Sequence, residues 1–285
     1  MIAVLVNLTA GKGRHAGRLP DLLDQLGDHE VLAAHSALSA AEALKEAVAG
    51  GAQAVVAIGG DGTVHLALQA VANTGIPLGI VPLGTGNDLA AGLGLPSDPH
   101  AAIQVLRRGR TRSVDLGHVS GDGVDTYFGT VVAAGFDALV NERANRMSWP
   151  KGPRRYDLAI VCEFASVRRM LYRLVVDGVE TEEALTLLAV GNTSQYGGGM
   201  RICPGADPTD GLLDVTTGSG GRFTLARLKP RVRAGTHVKD SYVKTFRATS
   251  LEISGPDLCA YADGERLGPL PLKVTCVPGA LTLLC

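Results

Sequence analysis

Aromatic residues make up only 4% of the 285-residue chain, with a single tryptophan, so the hydrophobic 46% rests largely on alanine and valine. No stretch reaches the roughly 18 uninterrupted apolar residues of a spanning helix, so the apolar content describes buried cores rather than a membrane segment. Met1 to Val6 lacks the basic flank of a secretory signal and reads as a strand. An excess of one charge is also missing: the net charge of −1 removes the broad positive field expected of a nucleic-acid binder. Cysteine is sparse and unpatterned. Cys162, Cys203, Cys259, Cys276 and Cys285 form no C-x-x-C pair and no zinc spacing, which fits a reducing cytoplasm. No prenylation box surrounds Cys285. The Walker loop, a G-x-G-x-x-G after a strand, the protein-kinase signatures, the G-x-S-x-G elbow and H-E-x-x-H are all absent, which sets those enzyme classes aside.

What the first part does contain is a repeated strand-loop-helix unit. Ile2–Val6 is a short apolar run ending at Asn7 and a Gly11-Lys12-Gly13 turn. Ser39-Ala40-Ala41-Glu42 has the form of a capping box opening a helix with Leu44, Ala47 and Val48 on one face. Val55–Ile58 has the length and composition of a buried strand. It runs into Gly59-Gly60-Asp61-Gly62-Thr63, and then into a helix with Val64, Ala67, Leu68 and Val71 on one stripe, closed at Gly75. Leu78–Val81 is another strand, followed by Pro82-Leu83-Gly84-Thr85-Gly86-Asn87-Asp88. Asp98-Pro99 reads as an N-cap with proline at the first helical position, in a helix that closes at Gly109. Such repetition implies a mostly parallel sheet covered by helices.

The pattern changes near residues 117–121, where the expected boundary divides a domain of residues 1–118 from one of residues 119–285. Beyond it β-branched runs and Asp-Gly turns dominate, and a single helical stretch, Tyr156 to Met170, is expected. Tyr172–Val179 reads as a hairpin turning at Asp177-Gly178, a purely structural turn.

Both glycine-rich loops would project from the carboxyl edge of an open sheet, where ligands bind. Glycine lets backbone N–H groups reach phosphate oxygens, and the helix start behind each loop favours anions. Thr63 and Thr85 could add hydroxyl donors. An acid inside a phosphate loop implies a bridging cation, so Asp61 points to Mg²⁺ beside a nucleotide. Taken alone, Gly59–Gly62 could equally be a tight turn.

Together the two loops, with Leu89-Ala90 completing the second, resemble the diacylglycerol kinase catalytic family, which includes bacterial soluble lipid kinases and the sphingosine and ceramide kinases. The first loop is shared with the NAD kinases; the second separates the lipid kinases. The resemblance continues through Gly135-Phe136-Asp137, Asn192, Gly197-Gly198-Gly199, Pro204, Ala206 and Asp210–Val215 to Ala262-Asp263-Gly264-Glu265. It implies an α/β N-terminal domain with a parallel sheet of the NAD-kinase and phosphofructokinase kind, followed by a β-rich sandwich. It implies ATP held by Asn7, Thr9, Ser36, Gly59, Gly60, Asp61, Gly62, Thr63, Gly84, Thr85, Gly86, Asn87, Asp88 and Glu265. It implies Mg²⁺ on Asp207, Asp210 and the carbonyl of Leu212, and Asp263 as the general base. Two positions depart from the family pattern: Leu8 stands where many members have proline, and Gly129-Thr130 where asparagine is common. Both are read as lying outside the core of the mechanism.

The implied reaction moves the γ-phosphate of ATP to a lipid hydroxyl, with diacylglycerol as first acceptor and phosphatidic acid as product. The alternatives are a sphingosine or ceramide kinase, an NAD kinase, and a non-catalytic nucleotide- or lipid-binding regulator. A lipid substrate implies a cytoplasmic protein that visits the inner membrane face without spanning it. The eight Lys and Arg between Arg222 and Arg247, against the single acid Asp240, could lie on anionic headgroups or form a solvated face. A homodimer is left open. His65 is read as a helix-surface or phosphate-flank residue without a catalytic part, and Tyr127, Phe128, Phe136 and Trp149 as core or cleft lining.

Overall fold

The computed structural model describes residues 1–7, 16–147, 149–150, 154–164, 167–255 and 258–285. Thr9 and the Gly11–Gly13 turn lie outside the described residues.

The first half alternates β1 (Ile2–Val6), α1 (Leu19–Leu26), β2 (His29–Val31), α2 (Ala37–Ala49), β3 (Ala54–Gly59), α3 (Asp61–Val71), β4 (Leu78–Pro82), α4 (Asp88–Gly92) and α5 (Pro99–Arg107). The four strands pair in parallel, in the order β2-β1-β3-β4. β3 and β4 are buried along their whole length, as strands covered on both faces must be. One face packs on α2 and α3 through Leu44, Val64, Ala67, Leu68 and Val71; the other packs on α1 and α5 through Leu22, Ile103 and Leu106. Asp98 caps α5 as expected, accepting the Ala101 N–H at 2.9 Å. The cap of α2 is not Ser39 but Ser36, one turn earlier. Ser36 is extended, its hydroxyl accepts the Ser39 N–H at 3.1 Å, and Ser39 returns the capping-box bond. The stripe of α3 ends at Val71, and Gly75 lies in the connection beyond it.

The second half contains β5 (Thr111–Gly121), β6 (Val124–Phe128), β7 (Val131–Ala133), α6 (Phe136–Arg146), α7 (Arg154–Phe164), β8 (Met170–Val176), β9 (Val179–Leu185), β10 (Leu187–Gly191) and β11 (Leu213–Gly218). Then come α8 (Arg222–Arg233), β12 (Val243–Ala248), β13 (Ser250–Ser254), β14 (Cys259–Ala262), β15 (Glu265–Pro269) and β16 (Leu272–Leu284). Three α-helices interrupt the strands where one was expected. α6 is short and largely polar, and α8 carries Pro230, so neither shows a clear apolar stripe. The stretch read as helical to Met170 ends at Phe164. Met170, Tyr172 and Leu174 alternate inward with period two and begin β8. Trp149 is 75% exposed rather than core, whereas Phe128 is fully buried.

An antiparallel sheet ordered β12-β11-β10-β7-β14-β15 packs on the antiparallel part of the larger sheet, forming a β-sandwich around Phe128, Tyr172, Leu188, Val215, Ile253 and Val274. The larger sheet is continuous with the parallel one through β16, which pairs with β5 along most of its length and lies parallel to β4 at Leu283. Leu281 and Leu283 are buried in the core of the first half.

Candidate active site

The two glycine loops leave adjacent parallel strands at the same edge and are fastened to each other. The Leu83 N–H donates to the Gly59 carbonyl at 2.7 Å. A Cβ on Gly84 would stand 2.6 Å from Gly60 Cα, so only glycine permits this backbone approach. Asn87 takes the left-handed conformation, φ 54°, and its amide oxygen accepts the Gly84 N–H at 2.9 Å, closing the second loop on itself. The Asp61 carboxylate accepts the N–H groups of Asn87 and Asp88 at 2.9 and 2.7 Å. Bonds of this charge-assisted kind contribute about 1.5–3 kcal/mol each. Asp61 therefore has a structural duty the sequence does not announce, as the brace that sets one loop against the other. Thr63 is buried against Gly59, while Thr85 is exposed on the second loop. Asn7 ends β1 beside the first loop, its N–H donating to the Ile58 carbonyl at 3.0 Å. The Ser36 hydroxyl is engaged in its capping box.

The second half reaches these loops at two carboxylates. Gly197, Gly198 and Gly199 have φ of 59°, 76° and 94°, a left-handed run whose N–H groups converge. The Gly198 N–H reaches both Asp88 oxygens at 3.0 Å, and the Gly199 N–H reaches one at 3.2 Å. Asp263 and Gly264, both with positive φ, turn β14 into β15, so the hairpin expected of Asp-Gly is also what presents this side chain. Oδ1 of Asp263 accepts the Thr130 N–H at 2.8 Å and the Thr130 hydroxyl at 2.5 Å. Oδ2 accepts the Gly129 N–H at 3.0 Å and faces His65 Nδ1 at 3.4 Å. Two sequence readings are corrected here. Gly129-Thr130 stands on Asp263 rather than outside the site. His65, one turn into α3, is held inward by it. Neither contact has a local signal, since residues 133 and 198 positions apart meet only in the folded chain. Glu265 is exposed beside Gly62 and adds its charge to the surroundings of His65.

The electrostatics follow from this crowding. Burial and the neighbouring Asp88 raise the Asp61 carboxyl, against the pull of its two N–H donors. Burial likewise raises Asp88, although the glycine N–H groups oppose it. Burial pushes Asp263 upward too, but the His65 hydrogen bond and charge, with Thr130 and Gly129, overcome it and hold the carboxyl below its usual value. Asp263 is thus the carboxylate of the three that the fold keeps ionised most firmly.

Asp207 and Asp210 lie in the loop before β11. Asp207 accepts the N–H and hydroxyl of Thr209 at 3.1 and 2.6 Å; Asp210 accepts the Leu212 N–H at 3.0 Å and pairs with Arg247 at 3.1 Å. Among the described residues no group of three or more His, Cys, Asp or Glu is placed to hold a metal. The loop is tied toward Asp263 through buried polar groups. The Gly211 N–H donates to Asp115 Oδ2 at 2.7 Å, and Asn192 Nδ2 donates to the carbonyls of Asp115 and Gly129 at 2.8 and 3.1 Å.

Residues 1–119 match the diacylglycerol kinase catalytic domain, and residues 130–285 match the YegS C-terminal NAD kinase beta sandwich-like domain. A Mycobacterium tuberculosis protein named diacylglycerol kinase is 49% identical over 245 residues, covering 85% of this chain and 79% of the relative. A solved diacylglycerol kinase chain from Bacillus anthracis superposes over 99% of this chain and 96% of its own, with a TM-score of 0.73 and 19% identity. An Archaeoglobus fulgidus NAD kinase, solved in complex with ATP, shares the fold more distantly, with a TM-score of 0.56 and 14% identity over 100% of this chain and 94% of its own. The matched domains span nearly all of the described chain, and they carry both glycine loops, the triple-glycine run and the Asp263 turn, so the protein belongs to the diacylglycerol kinase catalytic-domain family of lipid kinases.

Proposed function

We propose that the protein transfers the γ-phosphate of ATP to a lipid hydroxyl, with diacylglycerol as the acceptor and phosphatidic acid as the product. The observation that carries this is Asp263, ionised and aimed by four protein donors at the place where both loop acids, Asp61 and Asp88, converge. Phosphoryl transfer asks a protein mainly for positioning, charge neutralisation and one proton acceptor near the nucleophile. The open backbone of Gly59–Gly62 and Gly84–Asn87, with the exposed Thr85 hydroxyl, suits phosphate oxygens. Asn7, Thr9, Ser36 and Glu265 flank the nucleotide side.

The proposed Mg²⁺ donors are the Asp207 and Asp210 carboxylates and the Leu212 carbonyl, an all-oxygen set suited to a hard cation that keeps several waters. Asp214 supplies the test of fit. Its Oδ2 is buried without a hydrogen-bond partner, and burial together with the charges of Asp210 and Asp207 raises its carboxyl against the pull of Arg247. A cation there would relieve this imbalance and supply positive charge that rigidifies the loop tied to Asp115.

No described helix is long and apolar enough to cross a membrane, and a lipid acceptor then calls for peripheral contact from the cytoplasmic side. Arg227 and Arg231 are committed to Asp240, Lys244 to Glu183 and Arg247 to Asp210. The membrane-facing charge is therefore Arg222 and Arg233, beside the 76% exposed Phe223.

The test is transfer from γ-labelled ATP to diacylglycerol, sphingosine, ceramide or NAD in mixed micelles with Mg²⁺. Labelled phosphatidic acid, lost in Asp263→Asn while ATP binding persists, is the expected result. Label on a sphingoid base or ceramide changes the acceptor, label on NAD overturns the lipid reading, and ATP binding without any transfer supports a regulator.

A further inference from the structure

We infer that His65 Nε2, rather than an oxygen of Asp263, is the atom that takes the acceptor's proton, and that Asp263 orients and charge-balances the imidazole. This rests on the phosphotransfer reading above. A carboxylate offers about four lone-pair positions. On Asp263 all four are taken by the protein: the Thr130 N–H and hydroxyl on Oδ1, the Gly129 N–H and His65 Nδ1 on Oδ2. Two of these donors are backbone amides fixed by β7 and by Asn192, which accordingly do not swing aside for a substrate. The Asp263 side chain is only 6% exposed. A hydroxyl entering the cleft thus meets a carboxylate with no vacant acceptor.

His65 is in the opposite condition. Because a carboxylate only accepts, Nδ1 must carry the ring hydrogen, and the neutral ring then leaves Nε2 as a bare acceptor. Nε2 makes no hydrogen bond to the described residues. The ring stands two residues beyond Thr63, at the loop proposed to hold the phosphates. Carboxylate, imidazole and hydroxyl in that order is the arrangement by which a buried acid fixes a histidine tautomer and stabilises the imidazolium that forms. The 3.4 Å contact is long for a hydrogen bond, as such contacts are before substrate closes the site.

The step balances as follows. The acceptor O–H bond breaks and its electron pair stays on oxygen. That oxygen bonds to the γ-phosphorus as the bond to the β,γ-bridging oxygen breaks and ADP leaves with that pair. The proton comes to rest on Nε2, and the imidazolium faces the Asp263 carboxylate. The charged groups around the ring are Asp263 in the β14–β15 turn and Glu265 at the start of β15, while Asp61 and Asp88 face Asp263 from the two loops. Burial lowers the His65 pKa, but Asp263 and Glu265 more than offset it, so the ring titrates above the ordinary histidine value.

The experiment measures kcat and the KM for ATP from about pH 5 to 9 for the wild type, His65→Gln, and His65→Ala with and without added imidazole. The wild-type kcat should rise through the imidazole range. His65→Gln should lose that limb and about 100-fold or more in kcat with little change in KM, and imidazole should restore part of the His65→Ala rate. A limb confined to the carboxylate range, or His65→Gln keeping more than about a tenth of kcat with its limb in place, overturns the inference. Nitrogen-15 NMR of the wild-type histidines gives a readout independent of activity. Hydrogen on Nδ1 and a bare Nε2, with the raised pKa falling in Asp263→Asn, supports the couple; hydrogen on Nε2 overturns it. A wild type that phosphorylates no acceptor would refute the proposed function, and the ring tautomer would still decide this point.

Discussion

Asp137 offers a thermodynamic test that needs no substrate. It sits in the first turn of α6, only 8% exposed. Its carboxylate is served by the Tyr196 hydroxyl and the Ala138 N–H, each at 3.1 Å. No cation accompanies it in the hydrogen bonds and ion pairs of the described residues, and the hydroxyl of Tyr172, whose own ionisation Asp137 opposes, is buried without a partner. Burial therefore dominates and pushes the carboxyl from 3.8 to about 6, despite its two donors. The folded state keeps this proton longer than the unfolded chain, so the group's contribution is most favourable below the unfolded value and is lost as pH rises through about 6. The full loss is roughly 3 kcal/mol, of which roughly half falls between about pH 5 and 7.5. Asp137→Asn removes the titration while keeping an acceptor oxygen. In urea unfolding across that range the variant should gain roughly 1–2 kcal/mol on the wild type as pH rises. A difference that stays flat with pH would show that Asp137 is ionised at ordinary carboxylate values, and the burial argument would fall. Tyr196 also opens the glycine run that grips Asp88, so the same titration should loosen or tighten the clasp between the two halves.

Three further outcomes follow from contacts already described. Gly86→Ala would put a Cβ 2.5 Å from Asp61 Oδ2 and displace the brace between the loops; ATP affinity should fall about 10- to 100-fold by titration calorimetry, with the melting transition retained. Asp210→Ala should abolish Mg²⁺ stabilisation of the fold, about 2.7 kcal/mol at a hundredfold excess over Kd in the wild type, and unaltered melting curves with and without the ion would remove Asp210 from the metal site. Reversing Arg222 and Arg233 to Glu should weaken sedimentation with anionic vesicles, at about 1 kcal/mol for each basic residue lost; equal binding would leave α8 as a solvated face.

The parts of the molecule legible in the sequence are those whose cause is local. Val55–Ile58 running into Gly59–Thr63, Asp98 before Pro99, and Asp177 before Gly178 each fix their structure within a few residues, and each is found as read. Ser36 and Ser39 show how a local reading can still slip by a turn, because both offer a hydroxyl three residues before another polar side chain. α6 and α8 escaped because their faces are poorly divided between apolar and polar. The site itself was legible only as fragments. Nothing near Asp88 in sequence says that three glycines 110 residues later will wrap it. His65 has no neighbour that distinguishes it from a surface histidine until the β14–β15 turn is folded over it. Thr130, a departure from the family pattern, supplies a hydroxyl that only the sandwich brings to Asp263.

The path of β16 has a consequence for how the chain can be cut and made. Leu281 and Leu283 fill the core beneath the first four strands, and Leu283 lies against the edge of β4. An excised segment of residues 1–118 would present that edge bare, with a long row of unpaired backbone groups next to uncovered leucine and valine, the condition under which strands recruit one another into aggregates. During synthesis the nucleotide-loop half likewise emerges well before the strand that seals it. It must wait in an unsealed form, protected by chaperones or by its own incomplete collapse, until the far end of the sandwich arrives to close both cores at once.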